Sequence, residues 1–176
     1  MLVNYMMIDP PQPILSDLLD GVEVTHDHLL TEQVQITQPK TGYRVGSNAV
    51  LAAASLTAVR GRVLDLGAGV GGISLCIAKR LGEVQITAVE IDPVTAALAQ
   101  HNVAVNGMGH QVRVVNANIT AMPAVMANSF DHVISNPPYH HKAGTRPRHA
   151  ARARAHVGAN TDLHDWVKAA VWSAKP

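Results

Sequence analysis

One short run of the sequence has the residue types and spacing of a nucleotide-type binding turn. It is VLDLGAGVGG, over residues 63–72. A strand that ends in a glycine-rich turn lets the backbone approach a ligand closely, and the N–H groups of the helix that follows can receive it. Gly67, Gly69 and Gly71 lie in this turn, and Gly72 completes the spacing of a dinucleotide fingerprint with the first two. The turn alone therefore leaves a nicotinamide cofactor and S-adenosylmethionine both open.

Polar side chains around this turn favour S-adenosylmethionine. Asp65 stands two residues before the first glycine, where a carboxylate would repel a pyrophosphate but could hold the cationic methionine end of S-adenosylmethionine. Glu90 ends the next predicted strand, and an acid at that place can accept hydrogen bonds from both ribose hydroxyls. Asn118 follows the third predicted strand and could hydrogen-bond an adenine ring, although asparagine is also common in turns for backbone reasons.

A second motif, Asn136-Pro137-Pro138-Tyr139, follows the fourth predicted strand. Each residue before a proline is pushed toward extended backbone, so Asn136 and Pro137 are held stiffly. A rigid turn that carries a carboxamide oxygen, carbonyl groups and an aromatic ring can hold a planar amine. Both amine hydrogens would point at oxygens, with the ring of the ligand stacked on Tyr139. We take these four residues as the candidate catalytic group.

The charge of the chain is unevenly distributed. The net charge is only +1, yet residues 1–39 contain six acidic residues and no lysine or arginine. The basic segment, residues 142–156, contains no acid and five cations: Lys142, Arg146, Arg148, Arg152 and Arg154. Such a segment is a candidate site for nucleic-acid phosphates, and a solvated loop is the alternative.

The elements that must position these residues alternate between strand and helix. A short strand is predicted at residues 34–36, and core strands at 62–66, 85–90, 111–115 and 132–135. Helices are predicted at 48–58 with Ser47 as N-cap, at 73–81, between Asp92 and Gly107, and at 162–174. This alternation is typical of an α/β, Rossmann-like, doubly wound parallel sheet. Residues 1–20, with Pro10, Pro11 and Pro13, are predicted to be an irregular leader.

Composition excludes several other classes of protein. Hydrophobic residues make up 47% of the 176 residues and charged residues 15%, which excludes a disordered chain. The single cysteine, Cys76, excludes a disulfide framework and a cysteine-based zinc site, and we expect it in the core. The histidines are scattered without the partners of a metal site. No apolar run reaches about 18 residues, so we expect a soluble cytoplasmic protein without a membrane span.

The order VLDLGAGVGG, VEIDP, NPPY resembles that of class I S-adenosylmethionine-dependent methyltransferases acting on exocyclic or amide nitrogen. The upstream QPKTGYRVGSNAVLAAA and the later HVISNPPYHHKAG and DLHDWVKAA are similar to the bacterial tRNA(Val) adenine-N6 methyltransferase family, from about Gly21 to the end. The resemblance implies a methyltransferase domain over 21–176, S-adenosyl-L-methionine as cofactor, no metal, and an adenine amine of RNA, in particular of tRNA, as substrate. Two positions depart from the family pattern: Ser47-Asn48, where an acid is usual, and Asn118, where aspartate is usual.

Three other functions stay open at this point. The same tetrapeptide would serve methylation of a protein glutamine amide, the glycine-rich turn would serve a nicotinamide oxidoreductase, and the chain could be a non-catalytic cofactor-binding fragment. The fold that the resemblance implies has seven strands, whereas the sequence shows four core strands. We therefore expect the chain to be truncated after the fourth, with residues 132–135 as an exposed edge through which copies could associate.

Overall fold

The computed structural model describes residues 21–137 and 161–176. Within these ranges there are six strands and four α-helices. In chain order they are β1 (Val24–Leu29), β2 (Val34–Pro39), α1 (Ser47–Ser55), β3 (Gly61–Leu66), α2 (Gly72–Leu81), β4 (Val84–Glu90), α3 (Pro93–Val105), β5 (Val112–Asn116), β6 (His132–Ser135) and α4 (Leu163–Ser173). Two single-turn 3-10 helices, Ile119–Ala121 and Ala124–Met126, lie between β5 and β6.

Strands β3 to β6 form one parallel sheet in the order β5-β4-β3-β6. β3 is central: Leu66 near its carboxyl end lies opposite Val89 of β4 on one side and Ser135 of β6 on the other. Parallel neighbours require crossover connections, and α2 and α3 supply those from β3 to β4 and from β4 to β5. The predicted parallel α/β sheet is therefore confirmed, and the carboxyl ends of its strands meet at one edge.

Both faces of the sheet are covered by apolar side chains. On one face Val63 and Ile86 pack with residues of β2, α1, α2 and α3. On the other face Leu64 and Val89 pack with Phe130 and with α4. Cys76 is fully buried in the first cluster, as predicted.

An antiparallel hairpin of β1 and β2 precedes the sheet. Leu29 lies opposite Val34 across its turn, and Val34 and Ile36 of β2 are buried in the core against the helices. The sequence predicted the second strand but not the first. β1 reads VTHDHL and its side chains are only half-buried or exposed, so it carries no apolar pattern that could reveal it.

Local sequence signals set some helix ends correctly. Asp92 caps α3, its side chain accepting from the Thr95 N–H at 2.8 Å, and Gly107 beyond the helix has φ +67°. Asp162 caps α4 in a capping box with Asp165. Side-chain acceptors at these positions satisfy N–H groups that the first turn of a helix leaves free.

The prediction for α1 is wrong at both ends. Gly46, rather than Ser47, is the N-cap, and no side chain in the described part of the chain caps the helix. The chain enters one residue earlier because the Val45 N–H is held by Gln38 Oε1 at 2.8 Å. The helix ends at Ser55 rather than near Ala58, because Leu56 takes extended backbone.

The buried face of α3 also differs from the one predicted. Helical spacing in the sequence predicts one buried face made of Val94, Ala97, Leu98, His101 and Val105. Val105 is 45% exposed, whereas Asn102 and Val103 are buried. The helix packs against the sheet on one side and against β2 on another, so a single apolar stripe does not describe it.

β6 lies at one end of the sheet and pairs only with β3 within the described ranges, which agrees with the edge position expected for residues 132–135. Just before β6, Phe130 forms a parallel bridge with Ala174, and the Lys175 N–H donates to the Phe130 carbonyl at 2.8 Å. The chain leaving α4 therefore runs beside the residues that lead into β6. None of the helices in the described part of the chain has the length and apolarity needed to cross a membrane.

Candidate functional site

The glycine-rich turn connects the carboxyl end of β3 to the start of α2. Gly67, Gly69 and Gly71 all have positive φ (+67°, +59° and +89°), a conformation that other residues adopt only with strain. The Ala68 N–H donates to the Val89 carbonyl at 2.9 Å, which fixes the turn to the end of β4. A Cβ built at Gly69 would meet no atom of residues 21–137 or 161–176 within 4 Å. The turn is thus a rigid backbone surface with open space beside its middle glycine.

Asp65 is completely buried beneath this turn. Its Oδ2 accepts from the Ser74 hydroxyl at 2.7 Å, whereas Oδ1 is buried and has no hydrogen-bond partner among the described residues. Burial raises the pKa of this carboxyl to about 6, with a smaller contribution in the same direction from the charge of Glu90. An unpartnered buried carboxylate oxygen is costly to a folded protein, and Oδ1 keeps unused capacity to accept a hydrogen bond.

Glu90 ends β4 on the other side of the turn and is largely buried. Its Oε2 accepts from the Gly69 N–H at 3.0 Å and its Oε1 from the Asp92 N–H at 2.8 Å. Burial raises the pKa of Glu90, and these backbone bonds act in the opposite direction. Each carboxylate oxygen can accept a second hydrogen bond, so Glu90 has the capacity to receive two hydroxyls while it stays anchored.

Asn118 follows β5, next to the same edge. It is exposed, and its Oδ1 accepts from the N–H and the hydroxyl of Thr120, at 3.0 Å each. The oxygen is thus occupied within a local turn. The predicted contact with an adenine would therefore have to use the side-chain NH2 group of Asn118. Its neighbour Asn116, which sequence reasoning missed, donates to the Glu90 and Ile91 carbonyls and ties the ends of β4 and β5 together.

Asn136 and Pro137 lie directly after β6, beside the end of β3. The Ser135 hydroxyl donates to the Leu66 carbonyl at 2.8 Å, which joins the end of β6 to the residue before the glycine-rich turn. Asn136 donates from Nδ2 to the Tyr43 hydroxyl at 2.9 Å. The structure therefore brings Asn136 to the same edge as Asp65, Glu90 and the glycines. Pro138, Tyr139 and the five cations of the basic segment fall outside the described residues.

Trp166 of α4 is a further residue at this edge that sequence reasoning did not place. A Cβ built at Gly67 would lie 2.4 Å from Cη2 of the Trp166 ring. The indole thus rests on the first glycine of the turn, which only a residue without a side chain permits. The sequence of α4 does not indicate which strand end this ring touches.

Comparison with known proteins gives the chain a family. The sequence model of a family described as "Methyltransferase small domain" matches residues 41–164. This stretch runs from the loop before α1 into α4. The chain belongs to the methyltransferase small domain family. The family resemblance noted in the sequence is confirmed by this match.

Several relatives of this methyltransferase-family chain have the name tRNA1(Val) (adenine(37)-N6)-methyltransferase. The protein of Erwinia tasmaniensis is 40% identical over 111 residues, 61% of this chain and 45% of the relative. Those of Tolumonas auensis and Mannheimia succiniciproducens are 34% and 31% identical, over 72% and 79% of this chain and 53% and 57% of the relatives. The chain thus spans about half the length of these relatives.

Solved structures confirm the fold class. TYW2 of P. horikoshii, in complex with MeSAdo, has a TM-score of 0.60 at 20% identity and covers 86% of this chain and 48% of that one. TYW2 of M. jannaschii, in complex with AdoMet, has a TM-score of 0.53 at 15% identity over 62% of this chain and 49% of that one. The doubly wound fold of class I methyltransferases is therefore the fold of this family member.

Proposed function

We propose that the chain is an S-adenosylmethionine-dependent N-methyltransferase that acts on the exocyclic amine of adenine in RNA, and that the RNA is a tRNA. The observation that carries the proposal is the position of Asn136 at the carboxyl end of β6, joined through Ser135 to the residue before the glycine-rich turn. A carboxamide at this edge of the sheet could accept hydrogen bonds from an amine that is brought to the glycine-rich turn. The names of the relatives support adenine and tRNA as the target.

The residues at the sheet edge fit the cofactor. The open space at Gly69 suits the close approach of a ligand to backbone, the free Oδ1 of Asp65 suits a cationic amino group, and Glu90 has acceptor capacity for ribose hydroxyls. When bound, S-adenosylmethionine supplies a methyl group on a positively charged sulfur that a nitrogen lone pair can attack. In this proposal Asp65 holds the cationic amino group of the cofactor and Glu90 holds its ribose hydroxyls. Asn118 lies near the expected place of the adenine.

Asn136 and Pro137 prepare the target amine. The lone pair of an adenine amine is delocalised into the ring, which makes it a poor nucleophile. If Asn136 Oδ1 and the Pro137 carbonyl accept its two hydrogens, they favour the pyramidal nitrogen and localise the lone pair. Pro138 keeps the turn stiff and Tyr139 stacks on the base. Positioning of this kind can supply up to about 7–11 kcal/mol of the barrier reduction.

The basic segment favours RNA over a protein amide as the substrate. A tRNA presents a phosphate at every nucleotide and its binding gains from counterion release, whereas a glutamine side chain offers no comparable partner for five cations. The target base must leave its stack to reach the turn after β6. We take residues 21–176 as the methyltransferase domain that performs these steps, in the cytoplasm, with the family match covering its larger part.

Methyl transfer to tRNA tests the proposal directly. Radiolabelled S-adenosylmethionine is incubated with the protein and total tRNA, and the nucleosides are separated; the expected product is N6-methyladenosine. Asn136→Ala should lower the rate at least about 100-fold with cofactor affinity within a few-fold, because its contact forms mainly in the transition state. Val125→Ala, at a site 74% exposed on a 3-10 helix, is the control. Label in a glutamine-containing peptide and none in tRNA would support the amide alternative and refute the RNA proposal.

A further inference from the structure

Tyr43 contacts the candidate catalytic turn from a distant part of the chain. It lies in the loop between β2 and α1, and its hydroxyl receives the Asn136 Nδ2 hydrogen at 2.9 Å across 93 positions of sequence. The side chain is 61% exposed, so burial of its ring does not explain its position. Tyr43 makes a specific contact instead, a hydrogen bond to Asn136, which is the side chain expected to bind the target amine.

The residue after Tyr43 is fastened to the hairpin. Arg44 donates from Nη1 to the Thr25 hydroxyl at 2.8 Å and to the Pro39 carbonyl at 3.1 Å, and from Nη2 to Asp27 Oδ2 at 2.7 Å. Contacts to both β1 and the end of β2 hold the guanidinium in one place. The backbone on the carboxyl side of Tyr43 is therefore fixed by three hydrogen bonds from a single side chain.

A buried glutamine fixes the next residue of the same loop. Gln38 of β2 is 2% exposed; its Oε1 accepts from the Val45 N–H at 2.8 Å and its Nε2 donates to Asp27 Oδ2 at 2.9 Å. Asp27 thus joins Gln38 and Arg44, and these bonds keep the pKa of its carboxyl below the ordinary value. The loop that carries Tyr43 is organised by the hairpin before any substrate arrives.

The hairpin is in turn fixed to the sheet domain by Asn102 of α3 and by Asn106, the residue after that helix. Asn102 accepts from the Thr37 N–H at 2.7 Å and donates to the Thr37 carbonyl at 2.9 Å; Asn106 does the same with Gln35, at 2.9 and 2.8 Å. Asn102 also donates to the Val70 carbonyl in the glycine-rich turn at 2.9 Å. A continuous set of hydrogen bonds therefore links the glycine-rich turn, α3, the hairpin and the loop that carries Tyr43.

We propose that Tyr43 is a positioning residue that fixes the carboxamide of Asn136 for methyl transfer, an inference that rests on the proposed function. A carboxamide has one acceptor atom and one NH2 group, and only the acceptor can receive the hydrogens of an amine. When the Tyr43 hydroxyl accepts from Nδ2, Oδ1 is left for the target amine and the plane of the group is set. The bond also polarises the amide, which strengthens Oδ1 as an acceptor.

This role predicts an effect on the chemical step rather than on binding. Tyr43→Phe keeps the ring and removes the hydroxyl, and should lower kcat about tenfold, the value of one hydrogen bond made to a reacting group, with the KM for S-adenosylmethionine unchanged. In an Asn136→Ala background the same Tyr43→Phe change should have no further effect, because the partner is already gone. Val125→Ala again serves as the neutral control.

A spectroscopic measurement tests the contact without reference to activity. In protein labelled with ¹⁵N-asparagine, the Asn136 side-chain signal is identified by its disappearance in Asn136→Ala. Tyr43→Phe should shift this signal and speed its hydrogen exchange while the Asn102 signal stays in place. An unchanged Asn136 signal would overturn the inference. An equal drop in kcat when Tyr43→Phe is made in the wild-type protein and in Asn136→Ala would overturn it as well. If wild-type protein transfers no methyl group to tRNA, the proposed function fails and the Asn136 signal alone decides the contact.

Discussion

Replacement of Asp65 by asparagine should make the ligand-free protein more stable at neutral pH and less able to bind its cofactor. Burial raises the pKa of Asp65 from 3.8 to about 6, and the side chain has no exposed surface that would screen it. A shift of that size corresponds to about 3 kcal/mol between the two protonation states. The folded protein keeps the proton between about pH 4 and pH 6, where the unfolded chain has released it, so stability falls as pH rises through this window.

The variant carries no such titration. The difference in unfolding free energy, Asp65→Asn minus wild type, should therefore rise by about 2.5 kcal/mol from about pH 4 to about pH 7.5. Urea titrations followed by circular dichroism at several pH values measure it. Any constant cost of the new NH2 group, which replaces the unpartnered Oδ1 or Oδ2, shifts the whole curve without changing its slope. A difference that is flat with pH would refute the reasoning.

An exposed aspartate gives a control of opposite sign. Hydrogen bonds from the Arg62 N–H and from Lys175 lower the pKa of Asp131, so its contribution to stability is present at neutral pH and disappears as pH falls. Asp131→Asn should therefore become relatively less stable as pH rises. With cofactor, calorimetry should show affinity reduced about 10- to 100-fold by Asp65→Asn, since the variant removes an acceptor for a buried cation. Unchanged affinity would remove Asp65 from the binding site.

Three other predictions concern the turn, the hairpin and the RNA. Gly67→Ala should cost about 2–4 kcal/mol of unfolding free energy, because φ is positive and the new Cβ would overlap the Trp166 ring. Gly69→Ala, where only φ opposes a side chain, should cost about 1 kcal/mol. Equal costs of the two changes in urea titrations would contradict the packing of α4 on the turn. Asn102→Ala should cost about 2–4 kcal/mol of unfolding free energy, because it leaves buried backbone groups of Thr37 and of the glycine-rich turn unpaired. An unchanged unfolding free energy would contradict the role given to these hydrogen bonds. Neutralising the four arginines of the basic segment should reduce the slope of log affinity for tRNA against log salt by about 0.7–0.9 for each phosphate that the protein no longer neutralises; an unchanged slope would indicate a solvated loop.

The sequence allowed prediction of the parts of the fold that depend on local chemistry. The start of α3 at Asp92 and the four core strands follow from side chains within a few positions of where they act. The helix predicted at 162–174 is found at Leu163–Ser173, with Asp162 as its cap. The start of α1 and the buried face of α3 did not follow, because both depend on contacts with the hairpin. β1, with its polar VTHDHL sequence, reveals nothing by itself and forms because β2 is fixed against α3.

The candidate site divides in the same way. Asp65, Glu90 and the glycines sit within one strand–turn–helix unit and the strand after it, so their proximity could be read from spacing and from the rule that parallel strands end at one edge. Tyr43 meets Asn136 across 93 residues, and Trp166 meets Gly67 from the far end of the chain, and no local pattern encodes either pair. Both contacts arise from the packing of a loop and a helix on the finished sheet.

The ring of Trp166 on the first glycine of the turn gives the protein a built-in optical probe. The chain has two tryptophans, both on α4, and Trp172 at 40% exposed lies nearer the end of that helix. In a Trp172→Phe background all indole emission would come from the residue that touches the backbone beside the cofactor-type turn. Emission wavelength and quenching would then report occupancy of that turn in real time, with no label attached and no substrate consumed.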